Sequence, residues 1–88
     1  MLIVRQSNVF KRDLKRLKRG SFDLSKLEIV VLKLINEEKL EPKYSDHLLI
    51  GNWKSYRECH IAPNWLLIYH IKDKELLLAR TGSHSELF

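Results

Sequence analysis

Apolar positions recur at helical spacing through the first half of the chain and at a spacing of two through the second. Leu2 and Val4, with Ile3 and Arg5 beside them, read as a short opening strand. Ser7 or Asn8 then offers an N-cap, because a short polar side chain there can accept from a free backbone N–H of the first turn. Phe10, Leu14 and Leu17 follow at i, i+4 and i+7, one apolar stripe along a helix that Gly20 is suited to close. A second helix starts near Asp23 or Ser25, where Ser25 and Glu28 have capping-box spacing. Leu27, Val30, Val31, Leu34 and Ile35 supply its buried face, and it ends in the charged stretch before Pro42. The short Gly20-Ser21-Phe22 link predicts an antiparallel helical hairpin.

Residues 42–53 carry little periodicity and read as a loop holding Asp46, His47 and Gly51. From there the period changes. Residues 55–61 place Tyr56, Glu58 and His60 on one face of a strand and Arg57, Cys59 and Ile61 on the other. Ala62-Pro63-Asn64 has turn chemistry, proline presetting φ and asparagine tolerating the left-handed region. Residues 65–71 are almost continuously apolar, as a central strand covered on both faces would be. Lys72-Asp73-Lys74 turns the chain into a last strand over 75–81, and the tail ends on Phe88. The predicted order is β-α-α-β-β-β, an α+β fold whose two N-terminal helices pack on one face of an antiparallel sheet.

The chain has 88 residues, 44% of them hydrophobic, which predicts a single domain spanning 1–88. No apolar run approaches the ~18 residues a membrane span needs. The basic-then-apolar order of a signal peptide is missing at the start, so the expected location is cytoplasmic and no membrane partner is expected. Cys59 is the only cysteine, which excludes a disulfide framework or a zinc ribbon, fits a reducing compartment, and reads as a small core hydrophobe. Sixteen Lys and Arg against eleven Asp and Glu leave a formal charge of +5, which favours polyanionic partners. Much of the excess lies in the first helix as Lys11, Arg12, Lys15, Arg16, Lys18 and Arg19. A stripe of this kind is ordinarily a solvated face.

Four histidines are many for so short a chain, and their placement matters more than their number. His47 enters the sheet, His60 lies on its first long strand, Arg80 stands near the end of the last, and His84 follows it. All four can converge at one rim of the sheet face that also carries Glu58. Attack by a ribose 2′-hydroxyl on a phosphodiester needs a base and an acid, and imidazole serves as either near neutrality. An arginine at the phosphorane stabilises charge that grows only as the reaction proceeds. Trp53, Tyr56 and Trp65 offer flat surfaces for unpaired bases, although large aromatics more often belong to a core. The histidines show neither an i, i+4 pair nor an acidic cluster, so no metal or other cofactor is expected.

Four segments then agree in order: D-H-L-L-I-G-N-W-K (46–54), Y-R-E-C-H-I (56–61), P-N-W-L-L-I-Y (63–69) and R-T-G-S-H-S-E-L-F (80–88). Together they closely resemble the YafQ branch of the RelE superfamily, bacterial type II toxins that cleave mRNA on the ribosome and are neutralised by an antitoxin. The first half matches this family in pattern rather than residue by residue. The resemblance implies a RelE-like fold and a catalytic set of His47, His60, Arg80 and His84, with Glu58 as a nearby carboxylate. It implies substrate contacts at Asn64, Trp65 and Phe88, with Trp53 and Lys54 in the same matching stretch. The implied roles are His84 as general acid, His47 or His60 as general base and Arg80 as phosphorane stabiliser, with the basic first helix meeting ribosomal RNA or the antitoxin. The implied partners are mRNA, the ribosome and a cognate antitoxin, acidic and DNA-binding. Asn64 is a departure, since the family commonly has Asp there and Asn transfers no proton. Either His47, His60 or Glu58 suffices as base, or the chain is a weakened toxin fold serving as an antitoxin-binding, autoregulatory partner.

Overall fold

Local chemistry sets both helix starts in the computed structural model, which describes all 88 residues. Ser7 Oγ accepts from Phe10 N at 2.9 Å and opens α1 (Asn8–Lys18). Asp23 Oδ1 accepts from Ser25 N at 3.0 Å and opens α2 (Leu24–Ile35). The expected Ser25–Glu28 box does not form. Ser25 is already the second residue of the helix, so its hydroxyl donates to Asp23 at 2.6 Å instead of receiving amides.

Five strands form one sheet: β1 (Ile3–Gln6), β2 (His47–Leu48), β3 (Arg57–Ala62), β4 (Trp65–Lys72) and β5 (Glu75–Gly82), in the spatial order β1-β5-β4-β3-β2. The run β2 to β5 is antiparallel throughout, as expected of strands joined by tight turns. β1 pairs with β5 in parallel, so the sheet is mixed rather than wholly antiparallel. No turn joins these two strands, so hairpin geometry does not set their direction. Residues 42–53, expected as a loop, contain β2 and two short 3-10 turns at Pro42–Tyr44 and Gly51–Trp53. Two paired residues leave no periodicity to read; β2 forms because the outer edge of β3 offers it partners.

The larger core lies between the helices and the sheet, where Phe10, Leu17, Leu27, Val30 and Leu34 meet Leu67, Tyr69, Leu76 and Leu78. The opposite face is not bare. Leu66, Ile68 and Ala79 form a second cluster that Leu87 covers, with Leu49, Trp53 and Tyr56 at its margin. Leu87 belongs to α3 (His84–Leu87), a turn of helix within the tail that follows the last strand. Ser83 and Glu86 explain it, because each side chain accepts from the other's backbone N–H, at 3.3 and 2.7 Å.

β1 covers β5 only as far as Leu78, and α1 then takes over the exposed edge. Ser7 satisfies the Leu78 and Ala79 carbonyls, at 3.1 and 2.7 Å, and Asp13 Oδ2 accepts from Thr81 N at 3.1 Å. None of the three helices is long and apolar enough to cross a membrane.

Candidate active site

Residues paired across a sheet share a face. The register His47↔Glu58, Glu58↔Ile68 and Ile68↔Arg80 therefore sets His47, Glu58 and Arg80 in one row across four strands, on the face away from α1 and α2. The next row, His60↔Leu66↔Gly82, adds His60 and leads directly to His84. Glu58 and Arg80 stand two strands apart, roughly 10 Å between backbones. Ile68 and Leu66 form the apolar floor between them. The sheet register thus sets four of the five catalytic candidates, His47, Glu58, His60 and Arg80, on one face, and His84 follows from the end of β5.

Glu58 anchors one side of this floor. Its side chain is only 5% exposed, with Oε1 3.3 Å from His47 Nε2 and 3.8 Å from His60 Nε2. Its Oε2 has no hydrogen-bond partner. His47 Nδ1 lies 2.6 Å from the Ser45 carbonyl, which accepts only from a protonated nitrogen. Nε2 is therefore the atom of His47 that gains or loses a proton, and it faces Glu58. The approach to His47 is held from the helix side of the sheet, where Asp46 accepts from the Tyr69 hydroxyl and from Arg57 at 3.3 Å. Burial, then the Asp46 hydrogen bond, push the Tyr69 hydroxyl well above its usual range, so it stays a donor.

Arg80 anchors the other side, gripped by a residue that sequence reasoning missed. Its Nε and Nη2 donate to the two oxygens of Asp13, at 3.1 and 2.9 Å. Burial alone would push the Asp13 carboxyl up, but hydrogen bonds from Arg80, Thr81 N and Arg16 outweigh it and hold the carboxyl below its usual value of 3.8. Arg80 is raised in turn, chiefly by the same Asp13 bond. A signal for Asp13 was available. With Phe10, Leu14 and Leu17 it completes an i, i+3, i+4, i+7 stripe, and an acid on the buried face of an otherwise basic helix requires a cationic partner.

The remaining candidates divide. His84 begins α3, its backbone N–H donating to Asn64 Oδ1 at 3.4 Å, and its ring lies 5.0 Å from that of exposed Phe88. Trp53 is half-buried, edge-on to Tyr56 at 5.2 Å, and Lys54 is exposed beside it. Trp65 is corrected from substrate platform to core. It is 2% exposed, meets Phe22 edge-on, and donates Nε1–H to Thr81 Oγ1 at 2.9 Å, leaving no free face for a base. On α1, Lys11, Arg12, Lys15, Lys18 and Arg19 are exposed as expected. Arg16 leaves that set, because it pairs with Asp13 at 3.0 Å and with Glu86 at 2.8 Å.

The family model describing the bacterial toxin of type II toxin-antitoxin systems, YafQ, matches residues 2–88. The chain belongs to the YafQ toxin family. It is 40% identical to the mRNA interferase toxin YafQ of Escherichia coli K12 over 86 residues, covering 97% of this chain and 94% of that one. Its fold superposes on a copper-bound mutant toxin from Helicobacter pylori with a TM-score of 0.96, at 48% identity and full coverage of both chains. The E. coli DinJ-YafQ toxin-antitoxin complex contains a similar chain, with a TM-score of 0.92, 39% identity and coverage of 99% and 97%.

Proposed function

We propose that this toxin is an endoribonuclease that cleaves mRNA in the ribosomal A site by metal-independent acid-base chemistry and so stops translation. The observation that carries the proposal is the shared sheet face on which His47 and His60 flank buried Glu58, in register with Arg80, with His84 following at the end of β5. His47 or His60 takes the proton of the attacking 2′-hydroxyl, and buried Glu58 steadies the imidazolium that results. Arg80 neutralises the phosphorane, and His84 protonates the departing 5′-oxygen to leave a 2′,3′-cyclic phosphate. Phe88, exposed and tilted against the His84 ring, offers its own ring to a neighbouring base. Similarity to the E. coli mRNA interferase supports the same substrate.

Asn64 favours the active enzyme over the weakened one. Its oxygen accepts the His84 N–H, a task at which Asn and Asp are equivalent, so the substitution keeps the acid in place without joining the proton transfer. The partner is a cognate antitoxin, as DinJ is for the E. coli relative. The exposed cations of α1 suit an acidic chain or ribosomal RNA phosphates.

Primer extension on mRNA translated in a purified system tests the proposal. Discrete cuts within codons, absent without ribosomes and abolished by the antitoxin, are the expected result. Unbroken mRNA beside well-folded protein would overturn it. Activity lost to a chelator at fixed magnesium, and restored by zinc, copper or manganese alone, would overturn the metal-independent mechanism.

A further inference from the structure

Asp13 is the only acid in α1, and its side chain is 1% exposed. Each oxygen accepts twice: Oδ1 from Arg80 Nη2 at 2.9 Å and Arg16 Nη1 at 3.0 Å, Oδ2 from Arg80 Nε at 3.1 Å and Thr81 N at 3.1 Å. A carboxylate is not the only side chain that could fill this place. Thr81 N needs one acceptor, which a neutral side chain can supply, and burying a carboxylate among guanidinium groups costs desolvation that an apolar residue would avoid. The ion pair instead controls geometry. A bidentate fork fixes the plane of the Arg80 guanidinium and leaves its Nη1 side uncommitted. Arg16 braces the carboxylate from the other side and is itself held by Glu86 at 2.8 Å.

Given the nuclease chemistry proposed above, we infer that Asp13 is a positioning residue that aims Arg80 at the scissile phosphate. A free arginine would have to give up its rotamers on the way to the transition state. Arg80, clamped to a helix that also caps the β5 edge, has already lost them and meets the developing charge with no reorganisation.

Asp13→Asn preserves shape but turns an accepting oxygen into a donor facing Arg80. Single-turnover cleavage on programmed ribosomes should slow by about 10²-fold, with half-saturation by the protein nearly unchanged. In an Arg80→Ala background the same change should cost little more, because Asp13 acts through Arg80. A merely structural carboxylate would instead cost the same factor in both backgrounds, and that result would overturn the inference, as would full activity of Asp13→Asn. Should Asp13→Asn not fold, the unaltered protein still reports on the clamp through ¹⁵N relaxation of the Arg80 Nε–H. An order parameter near the rigid-backbone value of about 0.85 is expected, and one below about 0.6 would overturn the clamp. If the unaltered protein cuts no mRNA while Arg80 is rigid, the nuclease proposal fails rather than the clamp, and the role in catalysis falls with it.

Discussion

Replacing Glu58 with glutamine should make the protein more stable and less active at once. The Glu58 side chain is 5% exposed, its Oε2 has no partner, and the ring nitrogens nearest Oε1, on His47 and His60, lie at 3.3 and 3.8 Å. A buried polar atom without a partner costs about 1–3 kcal/mol, and more when it carries charge. Glutamine keeps the shape and removes the charge, so recovery of about 1–2 kcal/mol is expected. For a domain of this size that raises the melting temperature by roughly 4–8 °C per kcal/mol. Cleavage should fall by about 10²–10⁴-fold, because nothing then steadies the imidazolium of the general base. Thermal melts at pH 8, paired with single-turnover cleavage, measure both effects. A less stable Glu58→Gln protein at pH 8, or one cleaving at the original rate, would refute this account of the carboxylate.

Three further outcomes follow from the geometry. Trp65→Phe removes the Nε1–Thr81 bond and should cost about 1–3 kcal/mol while leaving cleavage per folded molecule intact; a loss of activity exceeding the unfolded fraction would return Trp65 to the substrate site. Asp13 has a folded pKa below 3.8, so its contribution to stability is complete above that value and is lost as pH falls through the folded one. Urea unfolding of the unaltered and Asp13→Asn proteins should therefore show a constant stability gap above pH ~5 that narrows below pH ~4; a gap independent of pH would show that the carboxylate is not held ionised by its partners. Cys59 is fully buried, and burial, then the nearby Asp46 and Glu58 charges, push its thiol up to about 12, so iodoacetamide at pH 8 should modify it only through unfolding; alkylation at the rate of a free thiol would contradict that packing.

What the sequence determined alone is local: periodicity, caps, turns and the spaced motifs. Phe10, Leu14 and Leu17 on one helix stripe and the alternation from Arg57 to Ile61 depend on neighbours a few residues away, and both appear as expected. The four C-terminal segments placed the chain in its family because functional side chains sit at fixed offsets within each. Spacing could have exposed two features that were passed over: the Ser83–Glu86 box that makes α3, and the acid at position 13 on a buried stripe. The tertiary structure decided the rest. The parallel β1–β5 pairing and the two-residue β2 depend on edges made by distant segments, which no local signal encodes. Trp65 and Trp53 are equally aromatic in sequence, yet one lies in the core and the other only half-buried at the margin of the smaller cluster, since burial depends on what packs above each. The resemblance placed Glu58 near the histidines, but only the sheet shows it buried between two of them with one oxygen unpartnered. Arg80 and Asp13 lie 67 residues apart, and only the docking of α1 along the edge of β5 makes them one group.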